Sequence, residues 1–182
     1  MQTTSQLRQD HANMARLLHV LSLKQRSLVE GQRPNFRLVR EVIDYILDYM
    51  EEFMIPLETL CGDRMVEQDA QAAGLVNRLA RDYTELRQRL SLVSEDLDSI
   101  LNDVVIPIDR FADRLRDYIE AHRAYLRIER EEFFPLIEQR LSEAEYHQLC
   151  DALLSDAEGR LSELKHEYPQ LYREFREAPE AA

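Results

Sequence analysis

Five residues of types that can bind metal ions interrupt otherwise apolar helical stripes: His11, Glu58, Tyr83, Tyr125 and Glu129. Leu7, His11, Met14 and Leu18 share one face at helical spacing, as do Leu47, Met50, Met54, Glu58 and Cys61. Tyr83 stands among Leu79, Leu86 and Leu90, and Tyr125 with Glu129 stands between Tyr118 and Phe133. A buried, unpaired carboxylate costs several kcal/mol even after relaxation, so Glu58 and Glu129 must be neutralised or paired. Two chemistries supply this: a metal ion, or hydrogen-bond donors from the facing helices. Carboxylates are hard oxygen donors suited to iron or manganese. A phenolate suits ferric iron too, but a phenol of pKa about 10 needs the metal to drive off its proton. A neutral phenol is instead a ready hydrogen-bond donor to a carboxylate.

The inserts repeat. The step from His11 to Glu58 is 47 residues and that from Tyr83 to Glu129 is 46, and Met54 precedes Glu58 by one turn as Tyr125 precedes Glu129. Two helical hairpins carrying matching sites around a shared centre would have this spacing, which is what a two-metal site inside a bundle requires.

Five helical stretches must position these residues. The first spans about Thr4 to Val29 and stops at "EGQRPN"; Asn35 caps the second, which is expected to reach Cys61 and Gly62. The third runs from about Ala70 to Leu101, and the fourth from Pro107 to Arg140. Pro56 and Pro135 are expected to distort the last turns of the second and fourth. "SEAE", Ser142 to Glu145, has capping-box spacing and opens a fifth helix carrying Leu154, Ala157, Leu161, Leu164, Tyr168, Leu171 and Phe175. The expected fold is all-α: an antiparallel four-helix bundle over residues 1–141, with an additional C-terminal helix over 142–182. That extension packs on the bundle or pairs with a second copy as a homodimer; the tail "REAPEAA" is expected to fray.

Composition agrees with helix throughout, since only four glycines and six prolines occur. The net charge of -12 repels nucleic-acid phosphates and anionic membranes, so neither is expected as a partner. There is no apolar run long enough to span a bilayer and no basic-then-apolar leader at "MQTTSQLRQD", so a cytoplasmic location is expected. Cys61 and Cys150 are read as two reduced thiols, with a disulfide as the alternative.

Roughly residues 6 to 150 resemble the hemerythrin-like, or HHE, domains. The resemblance rests on "LRQDHANMARLLHVL", "YILDYMEEFMIPLETL", "RLARDYTELRQRL" and "YIEAHRAYLRIEREEFFPLIEQRLSEAEY". It implies a non-haem di-iron centre that binds dioxygen, handles nitric oxide or peroxide, or senses iron and oxygen. The family's pattern is a histidine on the first helix, His-x-x-x-Glu on the second, a histidine on the third and His-x-x-x-Glu on the fourth. His11 falls on the first histidine, and Glu58 and Glu129 fall on the two glutamates; Met54, Tyr83 and Tyr125 stand where the other three histidines would be.

Two readings of the centre therefore stay open. In one, iron as a mono- or di-iron site is held by His11, Glu58, Tyr83, Tyr125 and Glu129 and binds a small diatomic ligand. In the other no metal is bound: Tyr83 and Tyr125 donate to Glu58 and Glu129, His11 closes the ring, and the bundle is a scaffold or regulatory interaction protein. A thioether is a poor partner for ferric iron, so Met54 favours the second. An enzyme would need an open coordination position, and a binding or sensing role is expected instead. His122 is expected at the seam's edge, hydrogen-bonding locally.

Overall fold

Thr3 begins the first helix by accepting the Gln6 N–H on its hydroxyl, and Gly31 turns the chain out of it at φ +79°. The structure, a computed structural model, describes residues 3–153 and 156–179, and among these every regular element is helical. Helix α1 (Thr4–Val29) is followed by α2 (Phe36–Tyr49), which Asn35 caps through the Leu38 N–H. Helix α2 runs through a π turn at Met50–Met54 into α3 (Ile55–Gln68). A 3-10 turn (Ala70–Ala72) leads to α4 (Ala73–Leu101), and α5 (Ile108–Ile128) runs through a second π turn, Glu129–Phe133, into α6 (Phe134–Arg140). Helices α7 (Glu143–Cys150), α8 (Ala157–Glu167) and α9 (Pro169–Glu177) complete the chain, and the capping box at Ser142 and Glu145 forms as its spacing predicts.

The four rods α1, α2–α3, α4 and α5–α6 pack as a bundle around one core. Ion pairs pin its register. Arg40 reaches Ser94 and Asp98 while Arg87 reaches Glu51, so α4 runs antiparallel to α2. Arg78 reaches Glu132, and Arg110 and Arg114 both reach buried Asp96, so α5–α6 runs antiparallel to α4. That register brings Met54, Tyr83 and Tyr125 to one level and Glu58 and Glu129 to the next. The matched inserts of the sequence are thus neighbours in space.

Three expectations about the elements are corrected. The second rod does not end at Gly62 but continues to Gln68. A Cβ on Gly62 would lie 2.9 Å from Val76 Cγ1, so this glycine marks a close approach of α3 to α4, not a helix stop. Nor do the prolines distort last turns. Pro56 and Pro135 cannot donate to the carbonyl four residues back, and their rings crowd it. Each rod instead widens just upstream, with Ile55 N–H bonding the Met50 carbonyl and Phe134 N–H the Glu129 carbonyl, and then carries on. The added residue turns the following face by about 100°. Phe134 and Ile137 are buried as a result, while Leu136 is only half-buried.

The fifth helix is three short ones, broken after Cys150 and at Pro169. Leu161, Leu164, Leu171 and Phe175 are buried in the bundle's own core, and Lys24–Glu174 and Arg160–Asp48 tie α9 and α8 to α1 and α2. Leu154 lies outside the described residues. Within the tail, α9 holds to Glu177 and Ala178 is buried. Ile108, the first residue of α5, is exposed at the bundle's end.

Candidate metal centre

Glu58 reaches the interior from the first full turn of α3, directly below the π turn that contains Met54; Glu129 opens the other π turn. Both carboxyls are buried, so a role as solvated seam-edge groups is excluded. Tyr125, buried one turn before Glu129, donates its hydroxyl to Glu58 Oε2 across the bundle. Tyr83 lies alongside, its ring centroid 6.1 Å from that of Tyr125.

Three further polar atoms at the centre are not satisfied. Glu58 Oε1, Glu129 Oε1 and the Tyr83 hydroxyl are buried without a hydrogen-bond partner among the described residues. Burial pushes the Glu58 carboxyl up to about 8 against the pull of the Tyr125 hydrogen bond. Glu129 is pushed well up by burial and then by repulsion from Glu58. The phenols are held neutral as well: burial takes Tyr83 up to about 12, and burial with the two nearby carboxyls raises Tyr125. Left alone, the pair keeps protons on both acids.

His11 is inside the bundle but turned aside. Its Nε2–H donates to the Leu126 carbonyl at 2.8 Å, and its ring stands edge-on to Phe134 at 5.2 Å. It therefore does not close a ring with the acids, and the expected network forms only in its Tyr125–Glu58 limb. Tyr83 was expected to donate to a carboxyl and does not. Of the five chosen residues, the fold brings Glu58, Tyr125 and Glu129 together with Tyr83 beside them.

His122 is not at an edge. It is fully enclosed, its Nδ1 hydrogen-bonded to the Tyr118 hydroxyl at 2.9 Å and its Nε2 unmatched, and burial takes its pKa down to about 3. The pair Tyr118–His122, one turn apart on the α5 stripe, was missed as a unit. Its signal was the i, i+4 spacing of two residues that can bond one another. Asp96, buried and bridged by two arginines, was missed because one carboxylate on a polar-flanked stretch carries no pattern of its own.

An antiparallel helical bundle with buried acids and phenols at mid-height, contributed by separate rods, is the architecture of proteins that build a cation centre between helices. The chain belongs to such a family: the hemerythrin HHE cation binding domain matches it over residues 2–137. No curated protein and no solved structure matches it.

The donors fit that family's usual centre poorly. Among the described residues no three His, Cys, Asp or Glu side chains converge on a point that could hold an ion. The Nε2 of His11 is occupied by a backbone carbonyl, and Met54 offers only a soft thioether. What lies at this level is oxygen: Tyr125 touches Glu58, the Glu129 carboxyl is near enough to feel the charge of Glu58, and the Tyr83 ring stands beside that of Tyr125. Such a set falls short of two histidine-ligated ions and suits one hard cation.

Proposed function

We propose that this hemerythrin-family protein holds one hard cation, iron by resemblance, in an oxygen-only centre of Glu58, Glu129 and Tyr125 with Tyr83 beside it. It serves as a binding or sensing protein linked to oxygen, nitric oxide or redox state. The observation that carries this reading is the pair of partnerless carboxyl oxygens deep in the bundle, Glu58 Oε1 and Glu129 Oε1. Buried acceptors left unmatched are costly, and a cation satisfies both at once. Glu58 and Glu129 would then give up the protons that burial otherwise holds on them, and Tyr125 would release its hydroxyl proton from Glu58 Oε2 to become a ligand. Iron bound there would supply one-electron redox chemistry. Met54, Leu57 and Phe133, within a turn of the two acids along the chain, are buried.

A second reading is favoured by a specific contact. Tyr125 already donates to Glu58, and His11 already donates to Leu126, which is how a metal-free core would satisfy these groups. The bundle would then be a scaffold or regulatory interaction protein. One experiment separates the two: metal content per chain and a visible spectrum after expression with added iron. The cation reading expects about one equivalent and a phenolate-to-iron absorption band that Tyr125→Phe removes. Less than about a tenth of an equivalent, with a melting temperature unmoved by chelation, refutes it in favour of the scaffold.

A further inference from the structure

The bundle has two ends, and the one farther from the acids is apolar. Five of the seven exposed large apolar side chains among the described residues gather there: Val29, Leu101, Val104, Val105 and Ile108. They come from the end of α1 and from the loop joining α4 to α5. Val105 is 97% exposed and stands at the loop's tip, where it has almost no contact with its own chain. Val105 stands on the rim of a pocket of about 400 Å³ lined also by Leu28, Phe36, Ile100 and Ile106, with Arg33 and Asp103 in the same lining.

We propose that this end is a dimerisation surface and that its occupant is a second copy of the same chain. The patch carries its own complement. Val105 projects from the rim of a pocket of about 400 Å³, and across a twofold axis each valine tip enters the other copy's pocket. The charges match in the same way. Arg33, whose guanidinium lies over the Phe36 ring at 5.4 Å, and Asp103, at the left-handed C-terminus of α4 (φ +58°), line the same pocket. The same twofold sets Arg33 of each copy against Asp103 of the other. An apolar cluster on a monomer that is otherwise strongly charged marks such an interface. The C-terminal helices leave little for this purpose, because Leu161, Leu164, Leu171 and Phe175 are buried on their own bundle.

Sedimentation equilibrium of the full chain from about 1 to 200 µM tests the proposal. The expected mass rises with concentration from the 21.5 kDa of one chain toward twice that value. Val105→Asp, at a position with nothing to lose in the monomer, is expected to weaken association at least about tenfold while leaving the melting curve in place. Arg33→Asp and Asp103→Arg are each expected to be monomeric alone and to associate when mixed, since mixing restores both opposite-charge pairs. Circular dichroism confirms that each variant is folded, and if Asp103→Arg unfolds, the Val105→Asp comparison decides alone. A wild-type chain that stays monomeric to the top of the range overturns the proposal. So does a dimer indifferent to Val105→Asp, which would place the interface elsewhere, or a mixture of folded charge variants that stays monomeric.

Discussion

Glu58→Gln should stabilise the metal-free protein, and the gain should depend on pH. The carboxyl is held protonated to about pH 8 because its site is desolvated, against an ordinary value of 4.5. A group whose folded-state pKa is raised contributes its full stability below the unfolded value and loses it as pH rises through the folded one. At about 1.4 kcal/mol per pH unit, the accumulated loss is roughly 1 kcal/mol at pH 5 and about 3 kcal/mol at pH 7. Glutamine has no charge to lose and its carbonyl still accepts the Tyr125 hydroxyl. Its amide inherits the unmatched position of Oε1, which costs about 1 kcal/mol. The net expectation is near zero at pH 5 and about 2 kcal/mol of stabilisation at pH 7, or roughly 4–8 °C in melting temperature for a chain of this length.

Urea and thermal unfolding of chelator-treated wild type and variant at both pH values measure it. A variant less stable than wild type by the same amount at pH 5 and pH 7 would refute the reasoning, because it would mean that the carboxyl is ionised and paired. In cation-loaded protein the sign reverses, since the same substitution then removes a ligand.

The two tyrosines should behave oppositely in the metal-free protein. Tyr83→Phe deletes a hydroxyl that has no partner and should leave stability unchanged or raise it by up to about 1 kcal/mol, while Tyr125→Phe strips Glu58 Oε2 of its donor and should cost about 1–3 kcal/mol, both read by urea unfolding. Gly62→Ala drives a methyl group to within 2.9 Å of Val76 and should cost about 1–3 kcal/mol in the same assay; Val76→Ala in that background should restore most of it. Cys61 and Cys150 are free but buried, and burial raises both thiols, Cys61 to about 12. Both should resist iodoacetamide at pH 8 in the native state and react within minutes in denaturant, as counted by mass spectrometry.

Helical periodicity and turn residues carry most of the fold. The stripes of α1, α4 and α5, the Asn35 and Ser142 caps and the antiparallel order all follow from spacing and composition, because each is a local preference that the core reinforces. Glycine and proline misled for a shared reason. Both are read as punctuation, yet Gly62 serves a helix–helix contact 14 residues along the chain, and Pro56 and Pro135 sit inside continuous rods. Whether such a residue stops a helix depends on what packs beside it, and that lies outside any local window.

The centre shows the same division more sharply. That Glu58 and Glu129 face inward could be inferred from the stripes on which they fall, but where His11 points could not. Its Nε2 bonds the Leu126 carbonyl, a partner 115 residues away, and no spacing rule encodes which lone pair of which carbonyl a ring will meet. Glu129 adds a further dependence. Its carbonyl accepts the Phe134 N–H in the widened turn that Pro135 enforces, so its backbone belongs to the π turn that shifts the stripe beyond it. A Pro135→Ala chain is expected to close that turn to ordinary α geometry, carrying Phe134 and Ile137 off the core face, with a loss of stability read by urea unfolding. The proline expected to distort a last turn therefore sets which face of the rod is buried beyond Glu129.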